Sequence, residues 1–362
     1  MIICRTPFRI SFFGGGTDFP AWYLQHGGSV LATTIDKYCY LTTRFLPPFF
    51  EHKVRVVWSK IENCLDIEEV SHPAVKAVIK HLDLDSRCLE IHHLGDLPAR
   101  SGMGSSSAFT VGLLNSLASL KGKMLTKEDL ARQSIHLEQE VLKETVGSQD
   151  QVCAAYGGFN HVSFMHNGEI SVVPMTLSRA RMEQLQNHLL LFYTGIVRTS
   201  SEVSQPFADV LDTKRRQLRI MKDIVDEAIS ILNSDQDIQE FGKLLREAWE
   251  VKRSYSKMVS NPQVDDLMET AHQAGAIGGK LTGAGGGGFL LLFVPPENRG
   301  AVRTALKHLL HVPFQFEHSG SQIIFADHDA DYSQEEDMRR MQPIEPFREL
   351  QQLITRIPAQ FK

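Results

Sequence analysis

One loop constrains the fold more than any other part of the sequence: "LPARSGMGSSSAFTVGLLNSL", which spans Leu97 to Leu117. A strand-like segment, "CLEIHHL", precedes it, and apolar residues at helical spacing follow its serines. One serine suffices to cap a helix, so three consecutive serines behind Gly102 and Gly104 need a further reason. The N–H groups at a helix start favour an anion. The loop therefore predicts a phosphate-binding strand–loop–helix unit, with an over-capped helix after a loose loop as the alternative.

The sequence around this loop predicts an α+β protein. The first ~95 residues favour strands, whereas "HPAVKAVIKHL" and "TKEDLARQSIHLEQEVL" predict helices. A hairpin is expected to turn at Asn167-Gly168. Two long amphipathic helices are predicted over 213–233 and 237–256, and the later segment "FLLLFV" predicts a buried strand.

The predicted elements fall into two domains. Because the composition shifts near Ser178, we place the domains at 1–185 and 186–362. A charge-dense tail follows Asp327, and within it "PFRELQQLITRI" predicts a final helix. The sequence leaves open whether this tail closes the second domain or forms an interface, and it gives no oligomeric state.

Composition narrows the class of protein. A net charge of -5 argues against a general binder of nucleic acid or anionic membranes. No apolar run approaches the ~20 residues of a membrane span, and arginines interrupt the apolar run of "MIICRTPFRISFF", unlike a signal peptide. Five dispersed cysteines without a CxxC pair suit a reducing compartment. We therefore expect a soluble, cytoplasmic protein.

Two further glycine-rich segments accompany the loop. "KLTGAGGGGFLLLF" puts four consecutive glycines before an apolar strand, which marks a close approach of backbone or ligand, or tight packing of one domain on the other. "RTPFRISFFGGGTDFP" leads from a short strand with Arg9 into three glycines and Thr17-Asp18, a pattern that a simple turn also explains. The loop has no GxxxxGK[ST] spacing, so it is not a Walker loop.

Together and in this order, the three segments resemble the motifs of the GHMP kinase superfamily, and the resemblance covers the chain from Arg5 to the strand after Gly288. It implies a two-domain fold, with an N-terminal domain like ribosomal protein S5 domain 2 and a C-terminal ferredoxin-like α/β sandwich. It also implies phosphoryl transfer from ATP with Mg²⁺ as cofactor.

The resemblance assigns roles to individual residues. The middle loop would surround the ATP phosphates with Pro98, Ser101, Gly102, Met103, Gly104, Ser105, Ser106 and Ser107. Ser106 and Glu138 would hold the metal, with Glu140 and Glu144 as competitors for Glu138. Asp150 would act as the catalytic aspartate beside Arg9, since a nearby cation favours an ionised carboxylate and stabilises developing negative charge.

The sequence constrains the identity of the phosphoryl acceptor less closely. Galactokinases carry Glu-His where this chain has Gly15 and Gly16, which argues against galactose. The first segment and "YTGIVRTSSEV" instead look like the branch that acts on heptose phosphates, with fucokinases as cousins. The substrate residues implied are Asp18, Gly15, Gly16, Thr17, Arg198, Gly283 and Gly285. Arg198 would hold a substrate phosphate or form a structural ion pair, and Lys37 is a weaker candidate.

We therefore expect an ATP-dependent kinase that phosphorylates the anomeric C1 hydroxyl of D-glycero-D-manno-heptose 7-phosphate. A fucokinase-like or galactokinase-like hexose 1-kinase is the near alternative. A catalytically silent sensor of ATP and sugar is the alternative from another class, and the decarboxylases of the same fold fit "GGGTD" poorly. Small molecules, and neither nucleic acid nor membranes, are the expected partners.

Overall fold

The computed structural model describes residues 1–99, 101–196, 211–255, 258–327 and 332–341. These residues form two β-sheets covered by helices, which confirms the predicted α+β class. The strands are β1 (Ile2–Phe13), β2 (Gly28–Phe45), β3 (Val54–Val57), β4 (Ile61–Cys64), β5 (Leu89–Gly95), β6 (Phe159–Phe164), β7 (Ile170–Pro174), β8 (Leu189–Tyr193), β9 (Gly278–Leu281), β10 (Phe289–Phe293), β11 (Leu310–His311), β12 (Phe316–Glu317) and β13 (Gln322–Ala326). The helices are α1 (Pro20–His26), α2 (Pro73–His81), α3 (Ser105–Leu120), α4 (Lys127–His136), α5 (Gln149–Tyr156), α6 (Arg179–Asn187), α7 (Arg215–Leu232), α8 (Gln239–Arg253), α9 (Pro262–Gln273), α10 (Arg299–Ala305) and α11 (Ser333–Met341).

The first sheet is built around β1 and β2. These two strands pair antiparallel from Ile2 opposite Thr43 to Phe13 opposite Leu31, and their β-branched and aromatic residues suit a pleated, half-buried surface. The order of the main path is β13-β1-β2-β5-β3-β4. β6 pairs with β2 and with β7, which is the hairpin predicted at Asn167-Gly168.

α3 covers this sheet and supplies much of its core. The residues from Ser107 to Ala118 are all buried, and α3 packs against β1 and β2. At Gly112 a Cβ atom would lie 2.7 Å from Thr6 Oγ1, so glycine lets the helix approach the strand closely. Complete burial of Leu113 contributes roughly 1.5–3 kcal/mol. This packing fixes the first turn of α3 and with it the loop in front of the helix.

The second sheet is antiparallel, with the order β11-β8-β10-β9. All five residues of β10 are buried, as predicted for "FLLLFV". α7 and α8 are the two predicted amphipathic helices, and Gly242 lets α8 lie directly on β10: a Cβ there would be 2.4 Å from Phe293 Cδ1. None of the described helices combines the length and the apolarity needed to cross a bilayer.

The chain returns to the first sheet after it has completed the second. β12 pairs with β2, and β13 pairs with β1 along a sheet edge whose N–H and C=O groups would otherwise lack strand partners. These two strands therefore lie outside a simple division of the sheets at 185/186, and that domain boundary stays a prediction. The final helix predicted at "PFRELQQLITRI" falls outside the described residues.

Candidate active site

The loop before α3 has the geometry of an anion-binding helix start. Gly102 and Gly104 have φ of +77° and +73°, a region that L side chains rarely adopt, and Gly104 is the residue that precedes the helix. α3 begins at Ser105, so the helix starts at the serines as predicted and all three lie in its first turn. The N–H groups of a first turn have no partner within the helix. The helix start therefore directs backbone N–H donors and the positive end of a long helix toward the loop.

The remaining predicted ATP-binding residues differ in exposure. Pro98 and Ser106 are exposed, whereas Ser101 and Met103 are buried. Met103 contributes its carbonyl oxygen, which accepts the backbone N–H of Arg9 at 3.1 Å. Their contacts with ATP, like those of Ser105 and Ser107, stay predictions.

The glycines of the C-terminal segment pack against this loop. A Cβ atom at Gly283 would lie 2.5 Å from Gly102 Cα, and one at Gly288 would lie 2.2 Å from Ser101 O. Gly285 meets a different backbone, with Val259 O at 2.6 Å from its Cβ position. Packing of the C-terminal half on the N-terminal half therefore accounts for Gly283 and Gly288, and a close approach within the C-terminal half accounts for Gly285. A substrate role for Gly283 and Gly285 stays a prediction.

Arg9 and Asp150, far apart in the sequence, form a two-pronged ion pair behind the loop. Arg9 Nε donates to Asp150 Oδ1 at 2.8 Å, and Nη2 donates to Oδ2 at 2.7 Å. Arg9 Nη1 donates to Gly102 O at 2.7 Å, so one guanidinium joins the carboxylate to the loop. The Arg9 side chain is 5% exposed and that of Asp150 is 24% exposed. Asp150 is thus held in one orientation while part of it remains open to a ligand.

Asp18 lies close to this pair but is enclosed by backbone. It is 1% exposed, and its carboxylate accepts N–H groups of Gly16 at 2.9 Å and Gln149 at 3.3 Å. Burial, and then the negative charge of Asp150, raise the pKa of Asp18 above its ordinary value. Gly147 is pressed against it, since a Cβ there would lie 1.9 Å from Asp18 Oδ2. In this arrangement Asp18 joins the first glycine loop to the start of α5, and its contact with sugar stays a prediction.

The other residues of the first glycine segment differ in burial and in hydrogen bonding. Thr17 is fully buried: its hydroxyl donates to Gly14 O at 2.8 Å and accepts the N–H of Ser29 at 3.0 Å. At Gly15 the nearest atom to the Cβ position is Gln149 Nε2 at 3.9 Å, an ordinary van der Waals distance. Gly16 contributes its N–H to Asp18. A substrate role for Gly15, Gly16 and Thr17 stays a prediction.

Glu138 lies on an irregular turn that the sequence analysis did not foresee. The helix predicted over "TKEDLARQSIHLEQEVL" is present, but it is α-helical only over Lys127–His136 and continues as a π-helical turn over Leu137–Val141. The wider turn is a common feature of functional sites. Glu138 is 1% exposed, whereas Glu140 is exposed and Glu144 is half-buried. Of the three glutamates, the structure therefore encloses Glu138.

The surroundings of Glu138 fit a divalent cation. Glu138 Oε2 accepts hydrogen bonds from Ser107 Oγ at 2.9 Å and from Gln151 Nε2. Oε1 is buried and has no hydrogen-bond partner among the described residues. Burial raises the pKa of Glu138 to about 7. A carboxylate oxygen of this kind at the start of α3 suits a small cation that takes one or two carboxylates together with phosphate oxygens.

Two buried lysines near the site were missed at the sequence level. Lys252 of α8 is 8% exposed and donates to Gly283 O, and burial lowers its pKa to about 8. Lys280 of β9 donates to Ser11 O at 2.9 Å and to Phe12 O at 2.8 Å. A signal existed for Lys252: with Phe241, Leu245 and Ala248 it continues the apolar stripe of α8 at helical spacing.

Of the two candidates for a substrate phosphate, only Lys37 lies within the described residues. Arg198 lies outside the described residues, so its role stays a prediction. Lys37 lies on β2, where its ammonium group donates to Asp36 Oδ1 at 2.9 Å and to Asp36 O at 3.1 Å. Both of these hydrogen bonds are therefore to the preceding residue.

Fold and site together define a phosphotransferase, because phosphoryl transfer requires anion binding, positioning and charge neutralisation more than covalent help from the protein. Two family models match the chain: "GHMP kinases N terminal domain" over residues 70–158 and "GHMP kinases C terminal" over residues 220–311. The chain belongs to the GHMP kinase family. The predicted fold and the predicted enzyme class are thereby confirmed.

Similar proteins include several kinases. The chain is 28% identical over 317 residues to the D-glycero-alpha-D-manno-heptose 7-phosphate kinase of Campylobacter jejuni subsp. jejuni, covering 84% of this chain and 92% of the relative. It is 28% identical over 310 residues to a bifunctional fucokinase/GDP-fucose pyrophosphorylase of Arabidopsis thaliana, but spans only 29% of that protein. A crystal structure described as a D-glycero-D-manno-heptose 1-phosphate kinase from Bacteroides thetaiotaomicron shares the fold, with a TM-score of 0.74, 24% identity and coverage of 90% of this chain and 100% of the other.

Proposed function

We propose that this protein transfers the γ-phosphoryl group of ATP to the anomeric C1 hydroxyl of D-glycero-D-manno-heptose 7-phosphate, giving the 1,7-bisphosphate. The observation that carries the chemistry is the Arg9–Asp150 pair, tied to the phosphate loop through Gly102. It presents a partly open carboxylate beside the place where the helix start favours phosphates.

The choice of acceptor draws on the relatives. The Campylobacter protein named for the 7-phosphate matches most of both chains, which supports a heptose phosphate as substrate. Transfer to the C1 hydroxyl is the finer part of the proposal.

In the proposed reaction, the C1 hydroxyl oxygen forms a bond to the γ-phosphorus as the bond from that phosphorus to the bridging oxygen breaks. The electron pair of that bond leaves with ADP, and the hydroxyl proton passes to Asp150. Arg9 holds both carboxylate oxygens, so Asp150 meets the hydroxyl in one orientation. Glu138 and Ser106 would hold Mg²⁺, which neutralises charge on the phosphate oxygens.

The test measures ADP release with Mg·ATP and a panel of heptose phosphates, free hexoses and fucose. Heptose 7-phosphate should be turned over, and Asp150→Asn should lower kcat by about 10²–10⁴. Asp265→Asn is the matched control, since Asp265 pairs with Arg253 on the exposed surface. Turnover of free sugars but not of heptose 7-phosphate would refute the substrate, and binding of ATP and sugar without ADP release would indicate a sensor.

A fucokinase-like hexose 1-kinase is the second candidate. It is favoured by the 28% identity to the kinase-containing Arabidopsis protein, and fucose in the same panel distinguishes it. We place either activity in the cytoplasm, because all five cysteines are free thiols, as is typical of a reducing compartment.

A further inference from the structure

Lys252 is a buried charge that the mechanism above does not use. It lies near the end of α8, on the apolar stripe that packs against the second sheet, and it is 8% exposed. Burying an ammonium group is costly, so a lysine in such a position is normally paired or serves a ligand. Among the described residues, Gly283 O is its one hydrogen-bond acceptor. Since an ammonium group has three N–H donors, two are left for another partner.

The carbonyl oxygen of Gly283 links Lys252 to the phosphate loop. Gly283 packs on Gly102, with its Cβ position 2.5 Å from Gly102 Cα, and we call this contact the glycine junction. Arg9 donates to Gly102 O on one side of the glycine junction, and Lys252 donates to Gly283 O on the other. Two cations are thus fixed to the two backbone segments that meet at the glycine junction.

The charged groups around Lys252 are those of the candidate active site. Arg9 on β1, Asp18 in the first glycine loop and Asp150 on α5 all act on its ammonium group, and Lys280 on β9 is close enough to feel its charge. Two carboxylates and two cations, Arg9 and Lys252, therefore meet here, while burial lowers the pKa of Lys280 well below its ordinary value. An anionic ligand would give the remaining N–H donors of the Lys252 ammonium group a partner.

Lys280 shows what a structural lysine looks like in the same region. Its ammonium group spans two backbone carbonyls of β1, Ser11 O and Phe12 O, at 2.9 and 2.8 Å. Lys252, with one carbonyl partner, is less completely satisfied.

We propose that Lys252 is a catalytic residue that donates a hydrogen bond to the γ-phosphoryl group of ATP during its transfer. This rests on the kinase activity but not on the identity of the sugar. In the step written above, the ammonium group stays protonated throughout and stabilises the negative charge on the phosphoryl oxygens between the breaking and forming bonds.

Three variants test this on the full chain with the acceptor that the wild-type enzyme turns over. Lys252→Met should lower kcat about 10²–10³-fold, the usual loss for one preorganised donor, without lowering the melting temperature, since it removes a buried charge. Lys252→Arg should recover part of the rate. Lys243→Met is the matched control on the same helix, because Lys243 is exposed and paired with Glu240.

The pH profile separates catalysis from a structural role. With a pKa of about 8, Lys252 loses its proton as the pH rises, so kcat/KM should fall above about pH 8 in the wild type. Lys252→Arg should move this fall to higher pH, because arginine stays charged. An unchanged alkaline limb, or equal losses in Lys252→Met and Lys252→Arg, would refute the proposal.

A binding measurement needs no acceptor, so it keeps this proposal separate from the choice of sugar. Calorimetry compares a non-hydrolysable ATP analogue with ADP. Lys252→Met should weaken binding of the analogue at least tenfold more than binding of ADP, because ADP lacks the γ-phosphate. Equal weakening would overturn the proposal even if the sugar panel succeeds, and a selective loss would support it even if heptose 7-phosphate is not the acceptor.

Discussion

Replacement of Glu138 by glutamine should change how stability depends on pH. Burial raises the pKa of this carboxyl from 4.5 to about 7 in the folded protein. Because the folded-state value lies above the unfolded-state value, the protonated carboxyl stabilises the fold fully below about pH 4.5. This stabilisation is lost as the pH rises to about 7. A pKa difference of about 2.5 corresponds to about 3 kcal/mol of unfolding free energy.

The assay compares melting temperatures of wild type and Glu138→Gln between pH 4.5 and 8, with EDTA and without nucleotide. An unfolding entropy of about 0.8 kcal/mol per kelvin for 362 residues converts the loss into about 4 °C. The wild type should therefore lose about 4 °C relative to the variant over this range. Groups that titrate alike in both proteins cancel in the comparison.

A neighbouring substitution provides the control. Glu140 belongs to the same π-helical turn but is exposed, so Glu140→Gln should keep the pH dependence of the wild type. A melting-temperature difference between wild type and Glu138→Gln that stays constant with pH would refute the reasoning. It would mean that the Glu138 carboxyl does not titrate near neutral pH and is not enclosed as the structure shows.

Three other outcomes are expected. Gly147→Ala should lower both the melting temperature and kcat, because its Cβ would lie 1.9 Å from Asp18 Oδ2. Gly300→Ala is the control: its Cβ would have nothing within 4 Å, so it should be neutral or stabilising by up to ~1 kcal/mol. Thermal melts and ADP release are measured for the two variants, and the same effect in both would contradict the contact between Gly147 and Asp18. Gly288→Ala should raise the KM for ATP by pushing the C-terminal segment away from Ser101 O, at 2.2 Å from the Cβ position, and an unchanged KM would show that this packing does not shape the ATP site. Chelation of divalent cations should abolish ADP release and added Mg²⁺ should restore it; activity that persists in EDTA would remove the metal from the proposal.

The elements of the fold could largely be predicted from local sequence. "HPAVKAVIKHL" carries helical spacing behind a proline suited to a first turn, and it forms α2. Thr126 caps α4 as expected, by accepting the N–H of Asp129. The return of β12 and β13 to the first sheet was not foreseen, because strand partners distant in sequence are chosen by the available sheet edges and not by local pattern.

For the candidate site too, some features could be predicted from local sequence and others could not. Local sequence was enough to identify the chemical groups: a glycine-serine loop before a long apolar helix, an arginine on the first strand and an aspartate after "VGSQ". Their pairing, burial and protonation depend on the folded protein. The tertiary structure paired Arg9 with Asp150, enclosed Glu138 on a π-helical turn and placed Lys252 at the glycine junction. The physical reason is that burial, hydrogen-bond partners and neighbouring charges depend on residues brought together by packing, and spacing along the chain does not specify them.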